Sequence, residues 1–170
     1  MVVIKKIVYA IDRFNGCMGW IFAWLVVYLG LLVTIAVVRR FWFNAPTIWA
    51  FTICAWLYGA LFMLTSAYAH LHKSHVRIDI LYAFLPPKVQ TILDLLTYLV
   101  FFFPFFVMLT ATGTHFAAAA WTLAEHKQGL FSPHMGPIKT VIPVASAMLL
   151  LQGVSDFIKK TVFLIKGDKL

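Results

Sequence analysis

Four apolar stretches, Cys17 to Val38, Ile48 to Ala69, Val89 to Ala120 and Val141 to Ile158, fill most of this chain, and the first two hold no Asp, Glu, Lys, Arg or His. A bilayer hydrocarbon core about 30 Å thick requires about 20 mostly apolar residues at 1.5 Å rise each, and every stretch is long enough to supply them. Of the 170 residues, 62% are hydrophobic and only 12% charged. A water-soluble fold of this size has too little interior to hide that much apolar surface. The sequence therefore predicts an all-α integral membrane protein of four transmembrane helices.

The formal charge of +8 comes from 14 basic and 6 acidic residues, and such an excess raises the question of nucleic acid. The placement of the charges excludes it. Lys5, Lys6 and Arg13 precede the first stretch, Lys73, Arg77 and Lys88 lie between the second and third, and Lys159, Lys160, Lys166 and Lys169 end the chain. The remaining connectors hold Arg39 with Arg40 and Lys127 with Lys139. By the positive-inside rule both termini and the central connector are expected in the cytoplasm, with the basic residues acting as topology signals and headgroup contacts. Cys17 and Cys54 fall within spans, which speaks for small buried residues rather than a disulfide framework.

Residues 1–16 carry Ile4, Ile7, Val8, Ile11 and Phe14 at helical spacing, so a short interfacial amphipathic helix is expected there, broken at Asn15-Gly16. The first span follows at 17–38 as an uncleaved segment, since no small-x-small cleavage pattern precedes Arg39-Arg40. Trp20, Trp24, Trp42 and Trp49 sit near headgroup level at the two ends of a hairpin whose second span is 48–69. In that span Ala55-x-x-x-Gly59 has the spacing of a close helix contact, with exposure to lipid as the equal alternative. A cytoplasmic surface segment is expected over 76–86, with Pro87 placed to open the next helix. The third span, 88–120, is too long to lie wholly in lipid, and Pro104 is expected to bend it. After an ordered outer loop rich in Gly and Pro, the fourth span covers 138–160, and 161–170 form a cytoplasmic tail.

Little of this supports chemistry. His70, His72 and His75 form one cluster, but a metal site would need more histidines and carboxylates on the same side, and His115, His126 and His134 belong toward the other face. His70 and His115 are poorly placed as a haem pair, and His115 is expected to face a neighbouring helix through a hydrogen bond. Asp94 and Asp156 lie close to the ends of their helices, where Arg77 or Lys88, and Lys159 or Lys160, offer local charge partners. There is no phosphate loop, catalytic triad order or paired catalytic carboxylate, so neither an enzyme nor a resident cofactor or metal is expected. The residues read as a four-helix accessory subunit that binds another membrane protein. A membrane anchor of a respiratory oxidoreductase is the alternative.

One motif goes further. The stretch His75-Val76-Arg77-Ile78-Asp79-Ile80-Leu81, followed by a proline break and Asp94, resembles the G-H-V-R-x-D-hydrophobic motif of the small membrane subunit, the DctQ component, of tripartite ATP-independent periplasmic (TRAP) transporters. Glu125, Pro137-Ile138-Lys139 and Leu150-Leu151-Gln152-Gly153 are similar to the family's further G-E, P-x-K and L-Q-G elements, most of all in the branch labelled for mannitol or chloroaromatic compounds. Ser74 and Ala124 stand where the family usually has Gly. The resemblance implies a bacterial inner-membrane uptake system for organic acids, driven by sodium and fed by a periplasmic substrate-binding protein. It implies a large permease subunit that carries the substrate and ion sites, and a non-catalytic small subunit that braces the permease scaffold. His75, Val76, Arg77, Asp79, Asp94, Glu125, Pro137, Lys139, Gln152 and Gly153 are then the candidate motif or partner-contact positions, with Arg77 and Asp79 fastening the cytoplasmic segment.

Overall fold

The computed structural model describes residues 2–72 and 86–166. Within them the chain forms α1 (Val2–Ala23), α2 (Leu25–Trp42), α3 (Ile48–Leu71), α4 (Pro87–Thr97), one π-helical turn (Tyr98–Phe102), α5 (Phe103–Thr122) and α6 (Gly136–Lys166). Four rods built from these are long and apolar enough to cross a membrane: Lys5–Trp42, Ile48–Leu71, Lys88–Thr122 and Gly136–Ile165. No strand occurs among the described residues. A lone antiparallel bridge joins His126 to His134 in the outer loop.

Contrary to the break expected at Asn15-Gly16, α1 runs straight through it. The interruption falls at Trp24, where the backbone tightens: the Trp24 amide donates to the Ile21 carbonyl at 3.2 Å and the Val27 amide to the Trp24 carbonyl at 3.0 Å. These are three-residue steps, characteristic of a locally overwound helix. Asn15 remains helical because its side chain is engaged across the bundle, as described below, instead of turning back on its own backbone. The rod from Lys5 to Trp42 has 38 residues, about 57 Å at helical rise, well beyond the hydrocarbon thickness.

At the far end of α2, Arg39 and Arg40 occupy the last turn, where cations suit the negative pole of the helix. The chain reverses over 43–47, with Asn44 at φ 47° and the Ala45 amide donating back to the Arg39 carbonyl at 3.0 Å. Asn is among the few residues that tolerate this left-handed conformation. Pro87 stands in the first turn of α4, where its missing N–H removes nothing the helix would use.

The third rod contains a feature absent from the sequence reading. A proline inside an α-helix removes a hydrogen bond and clashes with the carbonyl four residues back. Here Pro104 lies in the first turn of α5, directly after the π turn, and the Phe103 amide donates to the Tyr98 carbonyl five residues earlier. The extra residue in the turn changes the helical register before the proline and points Tyr98, which is buried, into the bundle.

Helix α6 is the centre of the assembly, packing against α5, α3, α1 and α4, whereas α2 leans chiefly on α3. The core is small: Leu64, Ala67, Ala145 and Met148, flanked by Met18, Phe22, Leu25, Ala60, Val141 and Leu149. Large apolar residues such as Trp42, Phe51, Phe101 and Phe105 point outward. In water that surface would be untenable; in lipid it is the face a spanning helix presents. Where helices do meet, small residues bring them close. A Cβ at Gly19 would lie 2.3 Å from the Tyr68 Cβ, and one at Gly153 would lie 2.2 Å from Phe102 Cε1 in the π turn.

Candidate functional site

The charged side chains of the spans gather toward the two ends of the bundle, with a Thr110–Ser146 hydrogen bond of 2.9 Å between α5 and α6 lying between them. At the end shared by both termini, α1, α3, α4, the π turn and α6 converge on one cluster. Asn15, Gln152 and Ser155 are fully buried there. The Asn15 amide donates to Gln152 Oε1 at 2.9 Å and reaches the Met148 carbonyl at 3.4 Å. Gln152 turns its own amide to Asp12 Oδ1 at 3.1 Å, and the Ser155 hydroxyl donates to the same oxygen at 2.7 Å. Lys159 then closes the cluster, 2.7 Å from Asp12 Oδ2 and 3.3 Å from Asp156 Oδ1.

This arrangement answers the main objection to polar groups in a membrane bundle. A buried carboxylate without a cation, or an amide without a partner, is costly, whereas a connected set holds helices in one register. Residues 12 and 15 of the first rod are thereby joined to residues 152, 155, 156 and 159 of the last. Next to it, His70 Nε2 lies 2.8 Å from the Tyr98 hydroxyl and 3.5 Å from Asp156 Oδ2, so α3 is drawn into the same cluster. Lys160 pairs with Asp94 at 2.7 Å and lies over the Tyr98 ring at 4.4 Å. The π turn therefore matters here: it is the local geometry that delivers Tyr98 to both His70 and Lys160.

At the opposite end a second, smaller cluster orders the outer loop. Lys139, buried in the first turns of α6, pairs with Glu125 and stands 3.9 Å from the centre of the Phe116 ring. The Met135 amide donates to the Glu125 carbonyl at 2.7 Å and the Lys127 amide to the Pro133 carbonyl at 3.0 Å, giving a short hairpin. Lys127 Nζ donates to Thr52 Oγ1 at 2.7 Å and so ties the loop to the start of α3.

The motif positions can now be located. Gln152 and Asp94 lie in the terminal cluster, Gly153 faces Phe102, Glu125 and Lys139 pair with each other, and Pro137 is exposed at the start of α6. His75, Val76, Arg77 and Asp79, with most of the expected 76–86 segment, lie outside the described residues.

A family model described as "Tripartite ATP-independent periplasmic transporters, DctQ component" matches residues 29–162. The chain belongs to this family. Comparison with curated proteins returned no match. The matched range covers all of α3 to α5 and most of α2 and α6, and leaves out α1, which supplies Asp12 and Asn15. As a DctQ component, the protein is a membrane-spanning small permease component of a TRAP transporter. Family membership lends nothing to the respiratory-anchor alternative.

Two expectations about single residues in this DctQ chain, His115 and Cys17, are corrected, and of the two readings of the small pair in α3 the chain by itself shows exposure. His115, expected to meet a neighbouring helix, is exposed on α5. Cys17, expected to be buried, is exposed, while Cys54 is half-buried. Gly59 of the small pair in α3 has no atom of another element within 4 Å of a Cβ placed on it, and Ala55 is exposed, so this face touches no other helix of the chain among the described residues. Asn15, Ser155 and Tyr98 were missed as contributors to a site. Only Asn15, a strongly polar residue beside an apolar run, gave a signal that could have been followed.

Proposed function

We propose that this DctQ chain braces the scaffold of a separate large permease subunit and moves no solute itself. The observation that supports this most is where its polar groups point. Among the described residues, the buried side chains Asn15, Ser146, Gln152 and Ser155 each hydrogen-bond to another group of the same chain, Asn15 through its amide N–H while its Oδ1 has no partner. A translocation pathway needs polar groups at membrane depth that remain available to a solute. A brace needs the reverse: internally satisfied ends and an apolar outer face.

In this reading both termini are cytoplasmic, in a bacterial inner membrane, and the Asp12 to Lys159 cluster lies at the cytoplasmic side. The transporter takes up an organic acid with sodium, delivered by a periplasmic binding protein, and the substrate and ion sites lie in the large subunit. The chain has no catalytic role. Arg77 and Asp79 hold the cytoplasmic segment, and Glu125 with Lys139 presents the outer loop to the large subunit or the binding protein. Detergent pull-down of the large permease with this chain, followed by sodium-dependent uptake in vesicles, tests the proposal. Loss of uptake when the small chain is omitted supports it; uptake at full rate without the chain contradicts it.

A further inference from the structure

The α2–α3 hairpin holds an open groove of about 330 Å³ near its loop, at the end of the bundle opposite the termini. Ala36 and Ala50 leave the space, Val33, Val37 and Phe51 wall it, and Arg40 stands at its rim. Its volume lies at the low end of the range of roughly 300–1,000 Å³ typical of small-molecule sites. Neither cluster described above uses it.

We propose that this groove is a binding site for an anionic phospholipid, with an acyl chain along the apolar walls and the headgroup phosphate on Arg40. Three observations fix the occupant. First, Arg40 makes no ion pair among the described residues, and Glu125, the acidic residue of this end, is engaged by Lys139. Second, Arg40 sits beside Phe41 and Trp42, which are 77% and 82% exposed, at the helix end where aromatic rings mark the headgroup level. Third, α2 has no buried residue along its length, so the groove opens directly onto the surface that lipid covers. An arginine there offers a phosphate two parallel donors while the chain below it meets only apolar atoms.

The test titrates the full purified chain, alone and in complex with the large permease subunit, with palmitoyl-oleoyl phosphatidylglycerol and separately with the matching phosphatidylcholine. Bound lipid is counted by native mass spectrometry. Preferential retention of one phosphatidylglycerol is expected, weakened about fivefold by Arg40→Gln, unchanged by Arg39→Gln, and lost in Ala36→Phe with Arg40 intact. Equal weakening by Arg39→Gln and Arg40→Gln would show diffuse charge attraction and overturn the site. Retention by the lone chain but not by the complex would assign the groove to the permease instead, and also overturn it. Arg40→Gln changes an exposed residue, so its result remains readable if Ala36→Phe fails to fold.

Discussion

Asn15 in the first helix and Gln152 in the last are 137 residues apart in sequence and 2.9 Å apart in space, both fully buried. Between them they set the register of the bundle's terminal end, because each carries a donor and an acceptor that the surrounding apolar residues cannot satisfy. Replacing Gln152 with Ala leaves the Asn15 amide without its side-chain acceptor, and is expected to destabilise the chain by about 1–3 kcal/mol. In a double-mutant cycle with Asn15→Ala, thermal unfolding in detergent is expected to show a coupling of about 0.5–3 kcal/mol. Additive losses would show that the contact does not act as a unit.

Lys159 bridges Asp12 and Asp156, so its removal places two carboxylates near each other without their shared cation. Lys159→Met is expected to lower stability more than Asp12→Asn, which keeps a polar acceptor for Ser155 and Gln152. The same unfolding assay ranks the two, and the reverse order would show that the cation is not what holds the cluster.

Close approach separates the predictions at two glycines. A leucine at Gly19 must displace Tyr68, whose Cβ lies 2.3 Å from the position of the new one, and overpacking of this kind costs roughly 1–3 kcal/mol. Gly59→Leu meets nothing within the chain. Its effect is expected only on association with the large subunit, read by pull-down, while the stability of the isolated chain stays unchanged.

One ion pair contributes to the order of the outer loop. Glu125→Gln leaves Lys139 as a buried cation with the Phe116 ring for company, and is expected to cost about 1–3 kcal/mol. Adding Lys139→Met should recover most of that loss. Limited proteolysis across 123–135 reports the loop's order in each variant, and a double variant as sensitive as the single one would refute the pairing argument.

The four rods were legible because lipid imposes a length and a composition that no other environment demands. Polarity alone did not show where a side chain would find its partner. Asn15-Gly16 read as a break because both residues disfavour helix in isolation; tertiary hydrogen bonds to α6 overrode that preference. Asp94 read as a local charge partner of Arg77 or Lys88. It meets Lys160, a residue brought close by folding and not by nearness in the chain, while Arg77 lies outside the described residues. The π turn left no trace in apolar periodicity, since one extra residue among Tyr98–Phe102 shifts register without changing composition. Pro104 was the visible sign, and it was read as a bend.

The bracing account is tested most directly by reconstituting this chain alone, the large permease alone, and the two together into sodium-free vesicles, adding sodium and the binding protein outside, and following solute entry. The account predicts no selective flux through the small chain by itself, and sodium-dependent uptake only when it accompanies the large permease. Selective solute flux through vesicles that contain this chain and no permease would contradict it.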